Sequence, residues 1–137
     1  MRRVFADTLY WVASLTPGDP RHAATRQAVA SLGRFHVVTT EEVLDEFLTA
    51  YAGRGDFLRQ QAAKAARAAM ANATVTVLPQ THQSFLAGLE LYESRADKAY
   101  SLTDCISMAT MRAQGIADVL TNDHHFEQEG FHILIHR

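Results

Sequence analysis

Short apolar runs alternate with longer amphipathic segments along this chain, and the alternation predicts an α/β fold. The predicted strands are 3–7, 35–38, 74–78, 119–120 and 131–135. Between them, apolar residues recur at helical spacing and Gly or Pro ends most segments. The predicted helices are 8–15, 21–32, 39–52, 56–72, 82–94 and 103–114. Strands that alternate with helices predict a mostly parallel sheet of about five strands flanked by helices. The pattern does not give the strand order.

No linker, repeat or low-complexity stretch interrupts this pattern, so a single domain over residues 1–137 is expected. Cys105 is the one cysteine, which excludes an intramolecular disulfide and a cysteine-based zinc site. Neither a signal region nor an apolar stretch of membrane-spanning length is present. We therefore expect a cytoplasmic protein without a membrane partner.

Four acidic residues stand near the ends of predicted strands or in the helices that follow them. Asp7 closes the first strand and Asp123 follows the fourth, while Asp104 and Glu46 belong to helices. Groups beyond the carboxyl ends of parallel strands meet in one crevice. Two carboxylates about 5 Å apart repel each other by roughly 3 kcal/mol at an effective dielectric of about 20. A hard divalent cation removes that cost, and metal-assisted hydrolysis is typical of such sites.

Three of these residues also have a purely structural interpretation. Asp7 and Asp123 suit helix N-caps, and Asp104 lies three residues after Ser101 in a pattern that marks helix starts. Glu46 lies inside its helix, where no capping role is available, and the alternative for it is a solvated surface glutamate.

Glu42, one helical turn before Glu46, is the local competitor for a ligand role. Thr39 as N-cap, with Glu42 at the third helical position, would form a capping box. This interpretation leaves Glu46 as the better ligand candidate.

The overall net charge of −2 argues mildly against a nucleic-acid partner, because phosphate-binding domains are usually basic. Bound divalent cations would reverse the local charge at an acidic site. The charge balance therefore does not exclude a nucleic-acid substrate.

Four short motifs, taken in order, resemble a PIN domain and more narrowly the VapC-type toxins of bacterial toxin–antitoxin systems. They are the segments 5–8 (FADT), 43–47 (VLDEF), 101–105 (SLTDC) and 120–126 (LTNDHHF). The resemblance runs from residue 4 to about residue 135. It implies a compact α/β/α fold and a Mg²⁺- or Mn²⁺-dependent endoribonuclease. The acidic residues carried over by the resemblance are Asp7, Glu46, Asp104 and Asp123.

For such an enzyme we expect in-line attack of water on an RNA phosphodiester. Asp7 and Asp104 would bind the metal directly. Glu46 and Asp123 would act through water, through a second ion, or by positioning the nucleophile. The hydroxyls of Thr8 and Ser101 would hold a carboxylate or contact the scissile phosphate, with helix-start hydrogen bonding as their alternative.

The resemblance also implies a homodimer and a cognate antitoxin protein that lies over an apolar groove and reaches the acidic site. The candidate groove is lined by Leu44, Phe47, Leu48, Tyr51, Phe57 and Leu58. Core burial is the competing use of the same side chains.

The adjacent pair His124 and His125 does not have the spacing of a zinc site. Of the two, His124 is the candidate for a position near the substrate. Three alternative functions stay open: an RNA-processing nuclease without an antitoxin, a non-catalytic interaction module, and a hydrolase of small molecules. The presence of all four carboxylates disfavours the non-catalytic module. The sequence does not indicate which RNA is cut.

Overall fold

A computed structural model describes residues 1–136 and confirms the predicted α/β architecture. The elements are β1 (Arg2–Ala6), α1 (Thr8–Leu15), α2 (His22–Ser31), β2 (Phe35–Thr40), α3 (Glu41–Ala50), α4 (Asp56–Ala71), β3 (Val75–Leu78), α5 (His82–Ser94), α6 (Leu102–Gln114), β4 (Asp118–Leu120), α7 (His124–Gln128) and β5 (His132–Ile133). The last strand is shorter than the predicted 131–135. Within residues 1–136, no helix is both long and apolar enough to cross a membrane.

The five strands form one sheet in the order β3-β2-β1-β4-β5, and every pairing is parallel. Strand β1 lies at the centre, where Phe5 pairs with Val38 of β2 and with Val119 of β4. The chain leaves β1 towards β2 on one side and reaches β4 on the other. The loops beyond the carboxyl ends of β1 and β4 therefore diverge and open a crevice at this edge of the sheet.

Both faces of the central strand are covered, as is usual for parallel sheets. Phe5 belongs to a core cluster with Met108 and Met111 of α6, whereas Val4 packs in a second cluster with Leu120 and side chains of α2. The paired, two-sided burial of β1 fixes the position of Asp7, which directly follows it.

The predicted capping box of Thr39 and Glu42 is wrong. Strand β2 continues through Thr40, because its last residues pair with β3, and Thr40 caps α3 by accepting the Val43 N–H at 3.1 Å. The Thr39 hydroxyl instead donates to the Ala6 carbonyl of β1 at 2.9 Å. Glu42 accepts a hydrogen bond from the Ser84 hydroxyl of α5.

The predicted apolar groove is largely core. Phe47 and Tyr51 are fully buried and Leu44 nearly so, since α1 and α4 cover this face of α3. For Leu44, Phe47 and Tyr51 the alternative prediction, burial in the core, is therefore confirmed. Leu48 and Phe57 lie on the surface and are 38% and 71% exposed.

An ion cluster around the buried carboxylate of Glu129 fastens the segment after α7 to α5 and α6. The Glu129 carboxylate accepts hydrogen bonds from Arg95 Nε and Nη2 at 2.7 and 3.0 Å and from Arg112 Nη2 at 2.7 Å. The Tyr100 hydroxyl donates to the same carboxylate at 3.2 Å. The guanidinium groups, of which Arg95 contributes most, lower the pKa of Glu129 to about 2.

Glu129→Gln is therefore expected to lower the free energy of unfolding by about 1–2 kcal/mol at neutral pH, because solvent partly screens the two guanidinium groups, which are 35% and 47% exposed. Because the folded pKa lies below the ordinary value of 4.5, the stabilisation is present above pH 4.5 and is lost as the pH falls towards 2. Urea unfolding at pH 7 and pH 3 would measure it. Glu127→Gln, at a side chain 58% exposed, is the matched control. Equal losses for both variants at pH 7 would contradict this account.

Candidate active site

The structure brings the four predicted carboxylates to the carboxyl edge of the sheet. The charges of Asp104 and Glu46 both act on Asp7, and the charge of Asp123 acts on Asp104. Each comes from a different part of the chain: the end of β1, the interior of α3, the first turn of α6 and the loop after β4. The topology, and not local sequence, therefore assembles the cluster.

Asp7 lies deepest in the cluster, with 5% of its surface exposed. It precedes α1 but makes no side-chain capping bond, so the capping interpretation is wrong for this residue. Its Oδ2 accepts the Thr121 hydroxyl at 3.0 Å. Burial chiefly, and then the charge of Asp104, raise the pKa of Asp7 to about 7 despite hydrogen bonds from Thr8 and Thr121 that lower it.

Glu46 projects from the middle of α3 and is half-buried, in contrast to the alternative of a freely solvated side chain. Its Oε1 accepts a hydrogen bond from the Thr8 hydroxyl at the start of α1. Thr8 therefore holds the Glu46 carboxylate towards β1, where the charge of Glu46 reaches Asp7.

Asp104 both caps its helix and faces the cluster. Its N–H donates to Ser101 Oγ at 3.0 Å, and its Oδ2 accepts the Ser101 N–H at 3.3 Å, which completes a capping box. The Ser101 hydroxyl thus makes the helix-start bond that was its alternative. Burial is the main cause that raises the pKa of Asp104, and the charge of Asp123 adds to it.

His125 is a site residue that sequence reasoning missed. Its Nδ1 lies 3.2 Å from Asp104 Oδ2 and 3.5 Å from Asp123 Oδ1, and one atom of each of these three residues lies within 4.8 Å of the others. Asp123 caps α7 by accepting the His125 N–H at 2.9 Å. Because adjacent helical positions diverge by about 100°, His124 points outward and its side chain is 77% exposed.

These donors fit a hard divalent cation. Carboxylate oxygens predominate, as Mg²⁺ and Mn²⁺ prefer, and the cluster lies partly open to solvent. The raised pKa of Asp7 means that the metal-free fold favours the protonated form of this carboxyl more than a solvated aspartate does. A neighbouring cation would favour the ionised form of that carboxyl.

The cluster opens onto a surface groove of about 860 Å³. Asp123 and His125 line this groove together with Arg21, Asn122 and Gln128. Asp123 and His125 are therefore accessible from a groove that is much larger than a single phosphate group.

Comparison with known proteins agrees with the fold and with the family resemblance found in the sequence. The PIN domain family model matches residues 4–131. The 23S rRNA-specific endonuclease VapC20 of Mycobacterium tuberculosis, from strains H37Rv and CDC 1551 alike, is 31% identical over 128 residues, which span 93% of this chain and 95% of VapC20.

Solved structures show the same relationship. The crystal structure of M. tuberculosis VapC20, described as a Sarcin-Ricin loop cleaving toxin, matches with a TM-score of 0.83 at 30% identity over 93% of this chain and 95% of that one. VapBC2 from Rickettsia felis and FitAcB from Neisseria gonorrhoeae share the fold with TM-scores of 0.65 at 10% and 13% identity, over 96% of each chain. The chain therefore belongs to the PIN domain family and, within it, to the VapC-type group.

Proposed function

We propose that this protein is a metal-dependent endoribonuclease of the VapC type, which hydrolyses phosphodiester bonds of RNA and acts as the toxin of a toxin–antitoxin pair. The observation that carries this proposal is the crowding of carboxylates around buried Asp7, whose pKa rises to about 7. Such crowding destabilises the ionised cluster unless a cation joins it. A divalent cation at an open acidic groove is suited to phosphate chemistry.

Mg²⁺ or Mn²⁺ is the proposed cofactor, with Asp7 and Asp104 as its direct ligands. When bound, the ion would lower the pKa of water and neutralise charge on the phosphate. Glu46 and Asp123 would hold a water molecule or a second ion beside the first. Thr121 and Thr8 would keep Asp7 and Glu46 in place through the hydrogen bonds described above.

His125 has a positioning role in this scheme. Its imidazole lies against Asp104 and Asp123, and its ring lies 5.3 Å from the ring of buried Tyr100. Tyr100 is in turn held by Glu129. The ion cluster around Glu129 would thus support the acidic site from behind.

Ribosomal RNA is the proposed substrate class. VapC20, which is 31% identical over nearly the whole chain, is described as specific for 23S rRNA and as cleaving the sarcin–ricin loop. The exposed groove at Asp123 and His125 would admit an RNA strand or loop.

A cognate antitoxin and a second copy of the chain are the proposed protein partners. VapC20 is described as a toxin, and a cell that makes such an enzyme needs an inhibitor of it. Of the side chains predicted to line the antitoxin groove, Leu48 and Phe57 are exposed and would be available to contact the antitoxin.

Attack by water predicts products that carry a 5′-phosphate and a 3′-hydroxyl. Cleaved RNA should therefore be ligated directly to a 3′-adaptor without phosphatase treatment, and its 5′ ends should be digested by a 5′-phosphate-dependent exonuclease. Products with a 2′,3′-cyclic phosphate would contradict this chemistry, because they require the ribose hydroxyl as nucleophile. An RNase A digest of the same RNA is the control, since that enzyme leaves cyclic phosphates.

A further inference from the structure

A groove runs from the acidic site along helix α2. The cavity at Asp123 adjoins a second cavity of about 430 Å³, and the two share Arg21 and Asn122. The second adjoins a third of about 440 Å³, with which it shares Gln27 and His136. Because neighbouring cavities share lining residues, the three lie side by side along α2, and together they are called here the α2 groove.

The α2 groove ends beside the edge strand β5, where Arg2 and His132 line it. Asp123 lines the first cavity, but no acidic side chain of residues 1–136 lines the second or the third. The nearest carboxylates, Asp19 and Asp118, are each paired with an arginine of the groove, so its lining carries no unpaired negative charge that would repel an anionic ligand.

The hydrogen-bond donors of the groove suit phosphate and sugar oxygens. Arg21 is ion-paired with Asp19 at 2.8 Å, and Arg2 is ion-paired with Asp118 at 3.0 Å. These pairs fix the orientation of the guanidinium groups but add little net charge to the groove. Recognition would rest on guanidinium, imidazole and amide donors, and such contacts position a nucleic-acid backbone without reading its sequence.

The dimensions of the groove also fit a nucleic-acid strand. Its wall is α2, and the helical path from Arg21 to Leu32 is about 16 Å long at 1.5 Å per residue. That length matches about five stacked nucleotides at 3.4 Å each. Ala24, Ala28 and Leu134 add apolar surface against which bases can lie.

We propose that the α2 groove holds the RNA strand on one side of the scissile bond. This inference rests on the proposed nuclease function and adds the path of the substrate to it. A protein segment in the same groove is the competing occupant. RNA is favoured because the groove adjoins Asp123 of the acidic site and because, beyond Asp123, no unpaired carboxylate of residues 1–136 lines it.

The test compares RNAs of different length. The RNA cleaved by the wild-type protein is trimmed to the shortest form still cut and is then extended by six nucleotides on the 5′ or the 3′ side. The groove variant carries Gln27→Glu and His136→Glu. The control carries Gln60→Glu and Gln83→Glu, which place the same added charge at exposed positions of α4 and α5. Circular dichroism and thermal melting verify that both variants fold.

We expect extension on one side to raise kcat/KM of the wild type about tenfold. The groove variant should lose most of that gain and the control should keep it. The variant should also bind the extended RNA with a weaker salt dependence, because phosphate contacts are lost.

Four results would overturn the inference. Cleavage by the wild type without any gain from extension, or with the gain kept in the groove variant, would refute the α2 groove alone. Loss of antitoxin binding in the groove variant with the gain unchanged would assign the groove to a protein segment. Absence of cleavage of any RNA by the wild type would refute both this inference and the proposed function.

Discussion

Asp104→Asn is expected to reduce RNA cleavage by about a thousandfold, which corresponds to about 4 kcal/mol of transition-state stabilisation. The substitution removes one proposed metal ligand and the charge that faces His125. It keeps an oxygen that can accept the Ser101 N–H, so the start of α6 should stay intact. Single-turnover cleavage of RNA at a fixed Mg²⁺ or Mn²⁺ concentration is the measurement.

The matched control for this variant is Asp97→Asn. Asp97 lies before the same helix, with its side chain 78% exposed and 3.5 Å from Lys98. It should cleave at nearly the wild-type rate. If the Asp104 variant kept more than about a tenth of wild-type activity, Asp104 could not be a direct ligand of an essential ion.

Asp7→Asn is expected to stabilise the metal-free protein. The pKa of Asp7 is raised from 3.8 to about 7, mainly by burial, so the folded protein holds a proton that the unfolded chain releases. The stability contributed by that proton is fully present below pH 3.8 and is lost as the pH rises through 7. Asparagine is neutral at every pH, so at pH 8 in EDTA the variant should be more stable by about 2–4 kcal/mol.

Urea unfolding of both proteins at pH 4 and pH 8 would measure this difference, which should be small at pH 4. Asp45→Asn, at an exposed position of α3, is the control and should change little. Addition of Mg²⁺ or Mn²⁺ at about 100 times its Kd should stabilise the wild type by about 2.7 kcal/mol and the Asp7 variant by much less. Equal stability of the variant and wild type at pH 8 in EDTA would contradict the claim that ionised Asp7 destabilises the fold when no metal is bound.

The layered fold follows from the sequence because local signals specify its elements. Apolar runs such as 74–78 have no helical periodicity, and Gly115 ends α6 in the left-handed conformation, with φ of 67°, as its position predicts. The order of strands depends on which elements pair across the sheet, and no local pattern encodes that choice. The end of β2 was misplaced for a related reason, since pairing with β3 draws Thr39 and Thr40 into the strand.

The residues of the candidate site are likewise only partly predictable from the sequence. Asp7, Glu46, Asp104 and Asp123 can be found from their motif order. Thr121 and His125 cannot, because a buried threonine and one member of a histidine pair carry no distinctive spacing.

The stripe on α3 shows a further limit of sequence patterns. Apolar periodicity marks a face that is covered but does not say by what. Phe47 and Tyr51 are covered by α1 and α4 and not by a partner protein.

Metal-dependent cleavage of RNA at the carboxylate cluster can be measured on total cellular RNA. The most direct test incubates total cellular RNA with purified protein that has been stripped by EDTA and freed of any bound inhibitor, with and without Mg²⁺ or Mn²⁺, and maps the new 5′ ends by sequencing. We expect discrete cuts in 23S rRNA that require the metal and disappear in Asp7→Asn. Folded wild-type protein that cuts no RNA with either metal would contradict it.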